Sequence, residues 1–376
     1  MRARTRSTIH QLTVPRLAIA MVTCMACSDG SSAKPGKGDA GGDPDPFATG
    51  TELRFDVPER GRVFVRLNAP GVVNVAGDPR ASGEWDLAFE GFEVFTNSGP
   101  SGAGKGGAFG PLEAASYNEN PPPAIPRITA DTTGGAFLRW YAYDGEAHKL
   151  YSRFHVLGIQ DGARRWKVQV QTYYGERQGA PISALYRIRA AELFADRAGN
   201  AVEIADLDGT AGDASADPST PSECLDLGTG ARTMLTPAAA RTSPAWHLCF
   251  RRDAISVNGE LGGPRGVGAI DFDGAKTAGE TLQQVMTRTE AGEKARFDAI
   301  TYASFESKNP RGDRIVSAFG DTWLDPASAT RTPAPGAWVV SSASGAQKYF
   351  LGFTGFEHAT AKSPGTVVVR IKPFKG

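Results

Sequence analysis

The residues best suited to nucleotide chemistry in this chain form an incomplete motif. Residues 99–106 nearly match a phosphate-binding loop, in which backbone amides hold the phosphates and a lysine reaches the terminal one. That loop requires Ser or Thr after the lysine and a helix behind it. Here Lys105 is followed by Gly106 and Gly107, and no helical pattern begins. We therefore interpret this stretch as a glycine-rich turn.

Catalytic pairs and metal ligands are also incomplete. No Gly-x-Ser-x-Gly, His-Glu-x-x-His or Cys-x-x-Cys motif follows residue 27. Two sets of carboxylates could offer oxygen ligands to Ca²⁺, but neither has a known loop spacing, and we expect solvated loop residues. They are Asp206, Asp208 and Asp213, and separately Asp271 and Asp273. The sequence predicts a protein that is not an enzyme and has no metal site; an exported hydrolase is the least supported hypothesis.

The first two cysteines lie at the end of a short leader. Residues 1–16 are basic and polar, and the apolar run that follows at 17–22 is too short to span a membrane as a helix. The sequence resembles a bacterial lipoprotein signal, in which a small residue precedes the cysteine that is acylated. Ala26-Cys27-Ser28 fits better than the surroundings of Cys24, because the polar stretch begins at Ser28. We expect a signal peptide at 1–27, lipid attachment at Cys27 and a flexible tether at 28–50; the alternative is an ordinary cleaved signal peptide.

This leader predicts an exported lipoprotein, anchored by its lipid at the bacterial outer membrane or cell surface. Export places the remaining cysteines in oxidising conditions. We therefore predict a disulfide between Cys224 and Cys249, with two buried thiols as the alternative.

Composition favours a strand-rich fold and excludes one class of partner. The 376 residues include 45 glycines and 25 prolines, which suits many short strands joined by turns. The 41 basic and 41 acidic residues balance, and four of the basic ones lie in the leader. No basic stripe is present, so we expect no nucleic-acid partner.

The chain contains an internal repeat. Residues 85–109 align without a gap with 246–270, and Trp85 and Asn97 recur as Trp246 and Asn258. Further blocks match at an offset of 183 residues, with the second copy longer between the blocks. We predict two tandem domains at 51–205 and 223–376, separated by a linker at 206–222.

Alternating residues predict that both copies consist of strands. Leu87 and Phe89 alternate with polar or small residues, and residues 166–171 alternate throughout. The same alternation places Trp246 on the face of Leu248 and Phe250, opposite Cys249. In one segment, residues 280–295, the apolar residues recur at the spacing of a helix. The predicted fold class is all-β with antiparallel sheets and one short helix in the second copy.

A family resemblance follows from two groups of residues. The first comprises Trp85-Asp86-Leu87-Ala88-Phe89, Thr96-Asn97-Ser98-Gly99 and Gly106-Gly107-Ala108; the second comprises Trp140-Tyr141, His148-Lys149-Leu150-Tyr151 and residues 166–174. Together they resemble the HmuY family of bacterial surface lipoproteins, well over residues 50–195 and weakly over 220–376. The resemblance implies an antiparallel all-β fold, and it raises haem as a possible ligand, since the best-studied members hold haem iron between two axial side chains.

The candidate axial ligands are few. His148 lies in a polar turn and His155 in a strand seven residues later, which is about 23 Å along an extended chain. Both are candidates for haem ligation. For His247, His358 and Met286 we expect core or surface roles. Two main hypotheses follow: a lipoprotein that binds haem, another porphyrin or a different small ligand, and a structural or interaction domain without haem ligands.

Overall fold

The computed structural model describes residues 45–212, 219–328 and 330–375. Strands make up 43% and helices 12%, which confirms a mostly β fold built of antiparallel sheets. In chain order, the strands of these residues are β1 Thr51–Val57, β2 Val63–Arg66, β3 Gly71–Val73, β4 Leu87–Glu90, β5 Glu93–Thr96, β6 Gly107–Glu113, β7 Thr132–Gly134, β8 Tyr141–Asp144, β9 Lys149–Ser152, β10 Val156–Asp161, β11 Arg164–Arg177, β12 Ala180–Leu193, β13 Val202–Asp208, β14 Ser222–Leu225, β15 Arg232–Leu235, β16 Leu248–Arg251, β17 Ala254–Val257, β18 Gly268–Asp271, β19 Arg314–Val316, β20 Gly336–Ser341, β21 Lys348–Glu357 and β22 Gly365–Pro373.

The helices are all short. The α-helices are α1 Pro237–Ala240, α2 Leu282–Met286 and α3 Lys294–Ala299, and the 3-10 helices are Pro79–Ala81, Ala114–Asn118, Ala136–Arg139, Thr210–Gly212, Gly274–Gly279 and Tyr302–Phe305. No helix of the described residues is long and apolar enough to cross a membrane. The prediction of one helix over 280–295 is wrong: the chain forms two short helices, α2 and α3. The residues between them include Gly292, which disfavours helix, and Arg288 and Glu293, which pair with each other.

Four sheets build two cores. Sheet 1 has the order β1-β22-β21-β20-β6, and sheet 2 has the order β3-β2-β4-β5. Their facing residues form core 1, around Phe89, Trp323 and Trp338. Sheet 3 (β13-β12-β11-β10-β18) and sheet 4 (β15-β14-β16-β17) form core 2, around Trp166 and Phe250. Each core therefore lies between a five-stranded and a four-stranded antiparallel sheet.

Each five-stranded sheet combines strands from both halves of the chain. In sheet 1, β6 pairs with β20; in sheet 3, β10 pairs with β18. The chain thus begins in core 1, passes through core 2 and returns to core 1. The two connections between the cores, β7 and β19, pair antiparallel with each other, Thr133 lying opposite Ile315.

The same hydrogen bonds recur 161 residues apart. Asn97 donates to the carbonyls of Ser82 and Trp85 and accepts from the Gly104 amide. Its counterpart Asn258 makes the equivalent bonds to Ser243, Trp246 and Arg265. A Cβ at Gly102 or at the matching Gly263 would overlap the amide of the respective asparagine, which explains why both positions are glycine.

The predicted disulfide is confirmed. Cys224 on β14 and Cys249 on β16 are direct partners across neighbouring strands and are bonded to each other. Trp246 packs against this disulfide and not with Leu248 and Phe250, which face core 2. The reason is that Trp246 precedes β16 and its indole N–H donates to the Ala240 carbonyl.

The beginning of the described chain is packed. Residues 45–50, which fall within the predicted tether, form turns, and Phe47 is buried against Tyr117 and Phe350. The predicted signal peptide with Cys24 and Cys27 lies outside the described residues.

Two buried carboxylates flank the connections between the cores. Asp131, just before β7, accepts hydrogen bonds from the Thr96 and Ala318 amides and from the Ser101 hydroxyl. Asp313, just before β19, accepts from the Val257 amide at 3.1 Å, but its Oδ1 has no partner within the described chain. Burial raises the pKa of both carboxyls, and that of Asp313 rises from 3.8 to about 7.

Asp313 gives the fold a pH dependence of defined sign. The folded protein binds the Asp313 proton more tightly than the unfolded chain does, so this contribution to stability is full below about pH 4 and is lost as the pH rises to about 7. We expect Asp313→Asn to remove this loss of stability at rising pH, because an asparagine side chain does not titrate. In urea titrations, the free energy of unfolding of the variant relative to the unmodified protein should increase by about 1–3 kcal/mol between about pH 5 and pH 8.

Two comparisons separate the effect of Asp313 from that of other titrating groups. His247 contributes with the opposite sign, because burial and Arg265 lower its pKa to about 4, but it is present in both proteins and cancels in the difference. Asp321→Asn changes an exposed carboxylate and should leave the pH profile unaltered. Parallel profiles for the unmodified protein and Asp313→Asn would contradict the prediction.

Candidate functional site

A cavity of about 650 Å³ opens between sheet 3 and α2. We call it the tyrosine cavity, because Tyr151, Tyr173 and Tyr174 line it together with apolar side chains from α2. The full lining comprises Lys149, Leu150, Tyr151, Ser152, Phe154, Gln171, Thr172, Tyr173, Tyr174, Pro181, Ile182, Ser183, Val285, Met286 and Arg288. Its volume is that of a typical site for a small molecule.

The cavity owes its shape to an irregularity in β11. The register between β11 and β12 shifts on both sides of Thr172, whose hydroxyl bonds to the amide and carbonyl of Tyr174. Tyr173 packs into core 2 beside Trp140, and the Tyr174 hydroxyl accepts a hydrogen bond from the Leu150 amide, which attaches β9 to the sheet. The irregularity therefore brings two successive tyrosines to the cavity wall.

The opposite wall is held by buried charges. Glu280, next to α2, accepts hydrogen bonds from Arg153 at 2.6 Å and from Arg288 at 2.5 Å. All three side chains are at least 86% buried. Burial alone would raise the pKa of Glu280, but the hydrogen bonds from the two arginines outweigh it and hold the pKa at about 2. Glu280 therefore stays ionised and attaches the α2 segment to sheet 3.

The predicted haem ligands lie outside the cavity lining. His155 is buried, with Nδ1 2.8 Å from Asp271 and Nε2 3.3 Å from Glu280. His148 is exposed in the turn between β8 and β9, where its Nδ1 is 2.8 Å from the Tyr143 hydroxyl. The structure does not bring the two imidazoles to one cavity.

This arrangement does not fit haem ligated by these two histidines. Axial ligation needs a ring nitrogen with a free lone pair on each side of the porphyrin. Both nitrogens of His155 face carboxylates, and the imidazole cannot turn toward iron without breaking the cluster around Glu280. His148 and His155 therefore do not form an axial pair for a haem iron.

Three of the carboxylates considered as calcium ligands have structural partners. Asp208 accepts from Thr210 and Arg177, and Asp271 accepts from the Asp273 amide. Asp273 accepts from the Val156 amide and from Lys276, while Asp213 lies outside the described residues. Within the described ranges, no group of three acidic, histidine or cysteine side chains is placed to hold a metal ion.

Sequence reasoning missed two features of this region. Met286, expected to have only a core or surface role, lines the cavity, and so does Gln171. The available signal was the pair Tyr173-Tyr174, which breaks the alternation of β11. His247, by contrast, has the core position expected of it: it is fully buried beside Trp166, 3.4 Å from Asp161, in a separate charged cluster with Asp226 and Arg265.

Comparison with known proteins yields no relative. No protein-family model matches the chain, and no curated protein matches it.

The groups that line the tyrosine cavity are suited to binding a ligand. Among the described residues that line it there is no carboxylate, imidazole or thiol. The hydroxyl of Ser152, a candidate nucleophile by type, donates to the Val170 carbonyl at 2.6 Å. The cavity thus offers apolar and aromatic surface with a few fixed polar atoms, the composition typical of ligand pockets.

We expect Glu280→Gln to release the α2 wall. Removing the charge leaves Arg153 buried without its counter-ion and leaves Arg288 with only Glu293, at 3.6 Å, which should lower the free energy of unfolding by about 3 kcal/mol. Amide hydrogen exchange in α2 should increase more than in β11. Urea titration and exchange mass spectrometry measure the two effects.

A matched control is Glu90→Gln, which removes the partner of Arg62 at a surface where Glu90 is 46% exposed. This change should cost less than about 1 kcal/mol. Equal costs for the two variants, or unchanged exchange in α2, would contradict the role given to Glu280.

Proposed function

We propose that this protein is an exported, lipid-anchored binding protein related to the HmuY family, and that it holds a small, mainly apolar ligand in the tyrosine cavity without catalysing a reaction. One observation carries the proposal: the residues on which the resemblance rests, 148–151 and 166–174, supply much of the cavity lining. Of the ligand classes that the resemblance raises, the cavity favours a ligand held by side-chain contacts over haem held by axial histidines.

The proposal includes a duplication. The hydrogen bonds of Asn97 and Asn258 recur at the offset seen in the sequence, and so do the indole bonds of Trp85 and Trp246. Buried polar geometry of this kind needs several residues at once, so its recurrence supports two HmuY-like copies that exchange strands.

The lipid anchor is proposed from the sequence. Cys27 is the expected acylation site, with Cys24 as the alternative. In a bacterial host labelled with a palmitate analogue, Cys27→Ser should abolish labelling and membrane retention, because the thioether that carries the lipid cannot form. Cys24→Ser serves as the matched control and should still be labelled; the reverse result would contradict the assignment.

The binding function is tested with phenyl-naphthylamine, an apolar dye that fluoresces when it leaves water. We expect saturable binding at one dye per chain, because the cavity buries an apolar body of this size. Met286→Trp fills the cavity from α2 and should weaken binding by about tenfold or more. Fluorescence titration of the purified protein measures this.

Met234→Trp is the matched control, since Met234 is also an exposed methionine but lies on β15, outside the cavity. Its dye affinity should equal that of the unmodified protein. A hemin titration run in parallel, with the Soret band as readout, should show no shift that depends on His148. No saturable dye binding, or equal binding to the two tryptophan variants, would contradict the proposal and favour an interaction domain without a ligand.

A further inference from the structure

The tyrosine cavity contains a buried polar atom without a partner. Gln171 is 4% exposed, and its Nε2 donates to Glu203 at 3.1 Å. Because a carboxylate only accepts hydrogen bonds, this contact fixes the orientation of the amide and leaves Oε1 as the free acceptor. No group of the described chain donates to Gln171 Oε1.

An unpaired buried acceptor is costly, and a ligand that donates a hydrogen bond to it recovers that cost. Gln171 lines the cavity next to Tyr173 and Tyr174, so its amide lies beside the aromatic wall. The site therefore favours ligands that carry an N–H or O–H group on an apolar body.

The charges that line the cavity favour a negatively charged ligand. Lys149 and Arg288 line it, and no carboxylate does so among the described residues. Arg288 is already paired with Glu280 and Glu293. Lys149, exposed at the start of β9, has no ion-pair partner in the described ranges and is left to bind an anion.

We infer that the ligand of the tyrosine cavity is an amphipathic anion, with an apolar body between the tyrosines and α2, a hydrogen-bond donor at Gln171 and an acidic group at Lys149. This inference rests on the proposed function and specifies its ligand class. A cationic ligand would find no counter-charge among the described residues of the cavity and would have to approach Lys149 and Arg288.

A matched pair of dyes tests the anionic group. Anilinonaphthalene sulfonate and phenyl-naphthylamine share the aromatic body and the N–H donor, but only the first carries a negative charge. We expect the sulfonate to bind about five- to tenfold more tightly than the neutral dye at low salt, with the advantage shrinking as salt is added. Displacement of the neutral dye by the sulfonate should show that both occupy one site.

Variants of Lys149 and Gln171 then assign the contacts. Lys149→Ala should remove the advantage of the sulfonate and leave the neutral dye within twofold, Lys149→Arg should retain it, and Lys308→Ala, at another exposed lysine, should change neither dye. Gln171→Met should weaken both dyes by about three- to tenfold, since both donate an N–H. A thermal melt of each variant confirms that it is folded.

The outcomes separate the inference from the proposal on which it rests. Neutral-dye binding that Met286→Trp abolishes, together with equal affinities for the two dyes or no effect of Lys149→Ala, would overturn the anionic ligand while leaving the cavity a binding site. Unchanged affinities in Gln171→Met would overturn the assigned donor contact. Failure of both dyes to bind would overturn the proposed function itself.

Discussion

The antiparallel pair β7–β19 is the constraint on which the rest of the structure depends. The chain crosses between the cores only twice in the part that the structure describes, and the two crossings bind each other. The carboxylates at their entrances reinforce them: Asp131 links β5 to the residues after β19, and Asp313 binds the end of β17. Because each five-stranded sheet needs strands from both halves, neither half can complete a core on its own. The tyrosine cavity shares this dependence, since β9, β11 and β12 come from the first half and α2 from the second.

Asp86 and His247 occupy equivalent positions, 161 residues apart, and both accept hydrogen bonds from backbone amides although their side chains differ. Asp86 accepts the amides of Leu67 and Ala343, whereas His247 accepts the Leu227 amide through Nδ1. A neutral imidazole has a single acceptor nitrogen, and the Leu227 amide uses it. The second nitrogen, Nε2, lies 3.4 Å from the Asp161 carboxylate. The scaffold thus requires an acceptor at this position but does not fix the local charge, and at core 2 the position belongs to a partly buried charged cluster with Asp161, Asp226 and Arg265.

Local patterns in the sequence predicted those features that local physics controls. Alternation located strands such as β11, the glycines of 99–106 do lie in a turn, and Cys224 with Cys249 form the predicted bridge. Strand exchange could not be predicted, because an alternating strand has the same inward face whichever strand it pairs with. The helix predicted at 280–295 divides into two, and Arg288 between them pairs with Glu280, whose other arginine partner, Arg153, is distant in sequence.

The candidate site, too, was only partly predictable from the sequence. The family resemblance made histidines the ligands to seek, yet His155 is part of the cluster around Glu280 that holds α2 in place. The cavity consequently has one wall of continuous sheet and one wall attached mainly through charge. The position of this second wall, and with it the volume of the cavity, therefore depends on Glu280 remaining paired with Arg153 and Arg288.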